Sequence, residues 1–205
     1  MSNKIDRYLQ QATPERPPVL REMERYARKT GFPIVGPLVG RLLYQLTLGI
    51  GGWRILELGS GFGYSAFWFA WAAGAKGRLT LTDLNEANKR LALDFFEKAG
   101  LQSRFEFIVD DALRVAARRK GPFDIVFNDV DKEDYPETID LAASRLRKGG
   151  LFITDNLLWS GKVCERRQDR TTRRIVEFTN QLYRDKRFFT TLLPLRDGLA
   201  VALRV

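Results

Sequence analysis

Histidine is missing altogether from this chain of 205 residues. Its absence removes the Ser-His and Cys-His nucleophilic schemes and every metal site that needs an imidazole. Cysteine is nearly missing too, since Cys164 stands alone. No internal disulfide can form, a cysteine-rich zinc site is excluded, and a reducing, cytoplasmic setting is the expectation. Any metal must then rest on oxygen donors, which favours hard ions: magnesium first, with manganese or calcium as alternatives. No apolar run reaches the ~18 residues of a membrane span. The opening stretch, MSNKIDRYLQQ, lacks the apolar segment of a secretory leader. Internal repeats, low-complexity tracts and long linkers are also missing. One domain over 1–205 is therefore expected, with a helical segment at 1–34 and a core at 35–205.

What is present is enough apolar material for a substantial core (44% hydrophobic residues) and a net charge of +9. A basic balance admits an acidic small molecule, a nucleic acid or a membrane surface as partner. The basic residues are scattered and the aromatics sit in apolar runs, which favours arginine-rich solvated faces over a nucleic-acid surface.

Strand-like and helix-like segments alternate along the chain. Pro14, Pro17, Pro18 and Pro33 interrupt a charged, helical N-terminal segment, and Leu38, Leu42, Leu43 and Leu46 then mark a helix. Strands are predicted at 54–58, 78–82, 105–109, 123–127 and 151–154. Helices are predicted at 64–73, 86–99, 112–119, 135–145 and 171–184, the one at 135–145 being ended by Gly149 and Gly150. The segments 188–195 and 199–205 flank Asp197-Gly198, a hairpin signal. Five alternations predict an α/β fold: a doubly wound, mostly parallel sheet with helices on both faces, closed by one antiparallel strand of the C-terminal hairpin.

The first strand runs into Glu57-Leu58-Gly59-Ser60-Gly61-Phe62-Gly63-Tyr64-Ser65, a glycine-rich turn that opens a helix. Such a turn lets the backbone approach a ligand closely and offers free N–H groups. It serves dinucleotide pyrophosphates and the amino-acid end of S-adenosylmethionine alike. A dinucleotide fingerprint would place its third glycine at position 64, which is Tyr64; here it is Gly63. Glu57 suits a ligand with ammonium and sulfonium charges better than one with phosphates. Asp83, at the end of the second strand, is suited to accept ribose hydroxyls, although it could simply help to start the next helix.

Two more strand ends carry oxygen donors: Asn128-Asp129-Val130-Asp131-Lys132 after the fourth strand and Asp155-Asn156 after the fifth. Ligand sites in parallel sheets lie beyond the carboxyl ends of strands, so Asp129, Asp155 and Asn156 should converge as a half-shell for a divalent cation. A phenol ionises only near pH ~10. A cation on its oxygen makes ionisation easier, and Lys132, three residues after Asp129, is the candidate catalytic base. Taken alone, the run 131–134 also fits an exposed loop.

With these residues in view, the chain from about Val35 onward resembles the cation-dependent class I O-methyltransferases related to the caffeoyl-CoA and catechol enzymes. Glu57 through Ser65 resembles that family's E-x-G-x-x-x-G-Y-S segment, and Asp129-Val130-Asp131-Lys132 with Tyr135 its D-x-D-K-x-x-Y motif. Asp155-Asn156-Leu157-Leu158-Trp159-Ser160-Gly161-Lys162-Val163 resembles its D-N-x-L-W-x-G-x-V motif, the most specific of the set, and Pro194 through Leu199 its closing hairpin. The resemblance implies a Rossmann-like, seven-stranded fold and methyl transfer from S-adenosylmethionine to a catechol-like or phenolic small molecule. It assigns the cofactor to Val35, Glu57, Gly59, Ser60, Ser65, Asp83, Ala112 and Asp131, with Gly61, Gly63, Asp111 and Asp129 beside them. The metal goes to Asp129, Asp155 and Asn156, and the base to Lys132. A homodimer is implied by relatives; neither nucleic acid nor membrane is. Gly61, Phe62, Asp110 and Arg196 depart from the family's usual residues. The competing readings are a binding protein that kept the fold but lost its chemistry, disfavoured because Lys132 and every metal ligand are present, a nucleic-acid methyltransferase, slightly favoured by the basic runs 118–120 and 166–174, a metal-free methyltransferase of another small molecule, and a dehydrogenase, disfavoured by the glycine spacing.

Overall fold

The computed structural model describes residues 3–101 and 104–205. Among these, α1 (Asn3–Ala12), α2 (Pro18–Thr30) and α3 (Gly36–Gly49) precede the first strand. There follow β1 (Arg54–Leu58), α4 (Tyr64–Ala73), β2 (Arg78–Asp83), α5 (Glu86–Lys98), β3 (Phe105–Val109), α6 (Ala112–Arg118) and β4 (Phe123–Asn128). The chain ends with α7 (Tyr135–Arg145), β5 (Leu146–Thr154), α8 (Arg170–Arg184), β6 (Phe188–Leu193) and β7 (Leu199–Arg204). None of the helices described is long and apolar enough to cross a membrane.

The seven strands form one sheet in the order β3-β2-β1-β4-β5-β7-β6. β1 to β5 pair in parallel, and β7 lies antiparallel between β5 and β6. The doubly wound sheet and its single antiparallel strand are thus as expected. β1 and β4 sit at the centre and read as continuous apolar runs because both of their faces are covered by helices. On one face α3, α4 and α5 enclose a core that includes Val39, Phe67, Phe69 and Phe127; on the other, α7 and α8 pack Tyr135, Ile139, Phe178 and Leu182 against Leu56 and Phe152. α4 is apolar almost all round because it lies between α3 and the sheet, which leaves little of it for solvent.

Two details differ from the sequence reading. β5 begins at Leu146 and passes through Gly149 and Gly150 instead of starting after them. Arg147 explains the early start: its Nε donates to Asp124 at 2.5 Å and its Nη2 to the Ile50 carbonyl at 3.1 Å, tying the strand down before the glycines. Those glycines take up a register shift against β4, which is the usual work of a bulge. The C-terminal hairpin turns through residues 194–198, not through Asp197-Gly198 alone, with Arg196 in the left-handed region (φ 51°). The N-terminal segment, read as helical and interrupted by prolines, forms α1 and α2 with Pro14 and Pro17 between them.

The chain leaves β1 towards β2 and β3, then returns to place β4 on the other side of β1. The strand order reverses between β1 and β4, and Leu58 stands in register with Asn128 at that point. The crevice of such a sheet opens beyond these two carboxyl ends.

Candidate active site

The glycine-rich turn is shaped by three left-handed glycines, Gly59, Gly61 and Gly63. A Cβ on Gly59 would overlap the Asp129 carbonyl oxygen, so glycine is what lets the β1 and β4 loops touch. The turn is pinned to β2: Ser60 N donates to the Thr82 carbonyl at 2.7 Å, Thr82 N donates to Ser60 Oγ at 3.2 Å, and Gly61 N donates to Asp83 Oδ2 at 3.0 Å. Asp83 also receives Asn85 N at 2.8 Å and Asn88 Nδ2 at 3.0 Å. It is therefore an organiser of its own loop as well as a candidate for ribose, while Asn85 is the residue that caps α5.

Glu57 is wholly buried behind this turn. Ser65 Oγ donates to its Oε1, and its Oε2 has no partner. Burial pushes its carboxyl up to about 8, opposed by the Ser65 hydroxyl and reinforced by Asp129 and Asp83. A buried acid in this state gains most from a cation brought against it. A small cavity of about 100 Å³ lies here, lined by Val35, Gly59, Ser60, Gly61, Ser65 and Asp129 among others.

The acids beyond β4 and β5 stand on adjacent strand ends. Asp129 N donates to the Leu58 carbonyl at 2.9 Å, and Lys132 Nζ reaches Asp129 Oδ1 at 2.8 Å. Asp155 is buried, its Oδ1 has no partner, and its carboxyl is pushed up to about 7, first by burial and then by Asp129. Burial also raises Asp129, against the pull of Lys132. Asn156 adopts a left-handed conformation (φ 64°), which asparagine tolerates better than most residues, and its Nδ2 donates to Asp197 Oδ2 at 3.4 Å. Among the described residues no three His, Cys, Asp or Glu side chains converge as a metal cage. A cation here would rest on two carboxylates, one amide oxygen, and oxygens from water or acceptor. The unpartnered Asp155 oxygen and the mutual repulsion of the two acids fit such an ion.

Asp155 and Asn156 open onto a second, larger cavity of about 1070 Å³. Its far walls are α1, α2 and the β6–β7 turn, and residues 32–34 line both cavities. Asp131 is exposed, Asp111 caps α6 by accepting from Arg114 N at 2.7 Å, and Ala112 begins that helix. These three, with Asp83, Gly63 and Lys132, line neither cavity, although Gly63 and Lys132 adjoin residues that do.

The sequence reading missed a network that joins the two cavities. Glu24 of α2 is buried; Arg16 grips both of its oxygens and Tyr64 Oη donates to Oε1 at 2.9 Å. Tyr64 directly follows the glycine turn, so α2 is tied to the cofactor-side loop. The available signal was an acid within the apolar stripe Leu20, Met23, Glu24, Ala27. Another unpredicted contact is Tyr135 Oη, which donates to the Asp155 carbonyl at 2.9 Å and fixes that strand end. The basic run at 118–120 lies at the opposite end of the sheet, where Arg54 holds the Lys120 carbonyl.

Known proteins resemble this chain in sequence and fold. The family model for O-methyltransferases matches residues 10–205. The chain is 28% identical to tapetum-specific methyltransferase 1 of Arabidopsis thaliana, over 100% of this chain and 94% of that one. It is 29% identical to caffeoyl-CoA O-methyltransferase 2 of Populus trichocarpa, over 94% and 84%. The structure of an O-methyltransferase from Bacillus cereus in complex with SAH superposes with a TM-score of 0.88 at 26% identity, covering 98% of this chain and 97% of that one.

Proposed function

Because the chain belongs to the O-methyltransferase family, we propose that it moves the methyl group of S-adenosylmethionine onto one hydroxyl of a catechol-like phenol, assisted by a divalent cation. The observation that carries this reading is the pair of acids on adjacent strand ends, half-buried Asp129 and buried Asp155 with an unpartnered oxygen, between a large cavity that Asp155 lines and a small one that Asp129 shares with the glycine turn.

S-adenosylmethionine supplies an electrophilic methyl group, and its ammonium and sulfonium charges suit the buried Glu57 side of the crevice. A hard divalent cation, magnesium by preference, would be held by Asp129, Asp155 and Asn156 and would make the phenol easier to ionise. The chain's own residues do the rest. Lys132, anchored at Asp129 and 5.4 Å from the centre of the Tyr135 ring, is placed to take the phenolic proton at its Nζ when in the amine form. Tyr135 and Asp197 hold Asp155 and Asn156 in place from behind. The shared wall at Phe32, Pro33 and Ile34 sets acceptor and donor side by side, so that positioning supplies much of the rate.

The test is a methyl-transfer assay on a panel of vicinal diphenols, with and without a chelator. Chelator should abolish turnover and magnesium should restore it. Lys132→Ala should lower kcat by about 100-fold or more while affinity for S-adenosylhomocysteine changes little. Turnover that survives chelation, or an unaltered kcat in the lysine variant, would contradict the proposal.

A further inference from the structure

Backbone strain gathers at one end of the larger cavity. Among the described residues, four that are not glycine have positive φ: Asn156 (64°), Trp159 (46°), Ser160 (54°) and Arg196 (51°). All four stand in two segments, the loop after β5 and the β6–β7 turn. A side chain crowds the backbone in this left-handed region, so such residues persist only where their surroundings hold them. Here the holder is Asp197. Its carbonyl accepts from Leu158 N at 2.7 Å, its Oδ1 from Ser160 N at 2.5 Å, and its Oδ2 from Asn156 Nδ2 at 3.4 Å. The next carbonyl, of Gly198, accepts from Leu157 N at 3.0 Å, and a Cβ on Gly198 would overlap Leu158.

The two bonds between backbones brace the loop whatever side chain stands at 197. The two made by the carboxylate do something more specific. Ser160 N engages one oxygen, and the other oxygen meets the Asn156 amide. An ionised carboxylate only accepts, so the amide must offer it nitrogen. Nitrogen and oxygen diverge from the same amide carbon, which turns Oδ1 away from Asp197. Asn156 and Asp155 line the larger cavity together. Of the two ends of the amide, only the oxygen can hold a cation; an NH2 group in its place would repel one.

We propose that Asp197 is a positioning residue that commits the oxygen of the Asn156 amide to the cation site, with Ser160 N fixing the carboxylate that does so. The inference rests on the cation reading above and concerns how the chain prepares that site. A residue that merely braced the loop, or one that merely added negative charge near the ion, would answer substitution differently.

Four proteins separate these roles: wild type, Asp197→Asn, Asn156→Asp and the exchange variant that carries both changes. Magnesium itself is the probe, titrated by calorimetry into the whole protein with S-adenosylhomocysteine present, and thermal melts check folding. In Asp197→Asn the new amide keeps its oxygen on Ser160 N, so its nitrogen meets the Asn156 nitrogen and the Asn156 amide turns over. Magnesium should then bind about tenfold or more weakly, the usual cost of losing a partner that orients a ligand. In the exchange variant the amide at 197 donates to a carboxylate at 156, whose other oxygen serves the ion. Made on Asn156→Asp, the same Asp197→Asn change should therefore leave binding unchanged or tighten it. Equal losses in the two backgrounds would mean that Asp197 acts through its charge, and no loss in either would make it a brace; both results overturn the inference and leave the cation reading standing. A wild type that binds no magnesium would remove the cation reading, and this inference with it. Asp197→Ala, made in the same two backgrounds, decides the matter if the exchange variant does not fold: a larger loss on wild type than on Asn156→Asp upholds the inference, and equal losses refute it.

Discussion

Glu57 makes the pH dependence of folding a direct probe of the crevice. Its carboxyl is raised from 4.5 to about 8 in the folded chain, with burial as the largest cause. A folded value above the unfolded one means that the protonated acid is the form that folds well. Its contribution is full below about pH 4.5 and is lost as pH rises through about 8. At ~1.36 kcal/mol per pH unit, the loss between about pH 6 and about pH 8.5 is on the order of 2–3 kcal/mol. Asp155 and Asp129 are raised too and push the same way, so the wild-type slope alone does not isolate Glu57. The informative quantity is the difference between wild type and Glu57→Gln, which retains an acceptor for Ser65 Oγ and has no charge to bury. Urea unfolding of both proteins without ligands, across that pH range, measures it. The wild type should lose on the order of 2–3 kcal/mol more than the variant, or roughly 5–10 °C in Tm for a chain of this size. Parallel stability curves would show that Glu57 ionises normally in the folded state, and the case for a buried, cation-seeking acid behind the turn would fail.

Two further perturbations test the architecture. Gly59→Ala must bear both a left-handed backbone and an overlap with the Asp129 carbonyl, whereas Gly31→Ala bears a similar φ in open space. Thermal melts should separate them, at about 3–4 kcal/mol against about 1 kcal/mol, and equal losses would mean that the β1 and β4 loops do not touch. Glu24→Gln should cost about 2 kcal/mol by weakening a buried pair and a tyrosine contact, and it should weaken acceptor and cofactor binding together; an effect on stability alone would reduce Glu24 to a packing residue.

The strand–helix alternation and the strand-end acids were legible in the sequence because both follow from local pattern. Short apolar runs such as RILEL and FDIVF, alternating with helical segments, read as strands buried on both faces, and acids that follow them fall at one edge of a parallel sheet. The start of β5 was hidden because Gly149 and Gly150 look like a helix stop. Only the long-range bonds from Arg147 to Asp124 and Ile50 extend the strand through them. The acceptor side was hidden for a similar reason. Arg28, Arg16 and Asp6 lie more than 100 residues from Asp155 in a segment without motif spacing, and folding alone brings them to one cavity. Asp83 shows the opposite limit: its position suggested a ribose contact, but the sequence could not show that Gly61, Asn85 and Asn88 already draw on its oxygens.

Residues 32–34 line both cavities, which gives a consequence that neither cavity has alone. Phe32 packs edge-on against Phe62 of the glycine turn, with ring centres 4.9 Å apart, while the Ile34 carbonyl is held by Arg196 on the acceptor side. A ligand that steadies this loop from one side lowers the cost of ordering it for the other. Their affinities should therefore be linked, and linkage is reciprocal. Binding of 3,4-dihydroxybenzoate should tighten about fivefold or more in the presence of saturating S-adenosylhomocysteine, the lower end of ordinary coupling. S-adenosylhomocysteine should tighten by the same factor when the acid is present. Phe32→Ala removes the ring that joins the loop to the glycine turn and should reduce both factors together. Independent binding in the wild type would mean that the loop is a passive wall, and donor and acceptor would then owe their alignment to the strand ends alone.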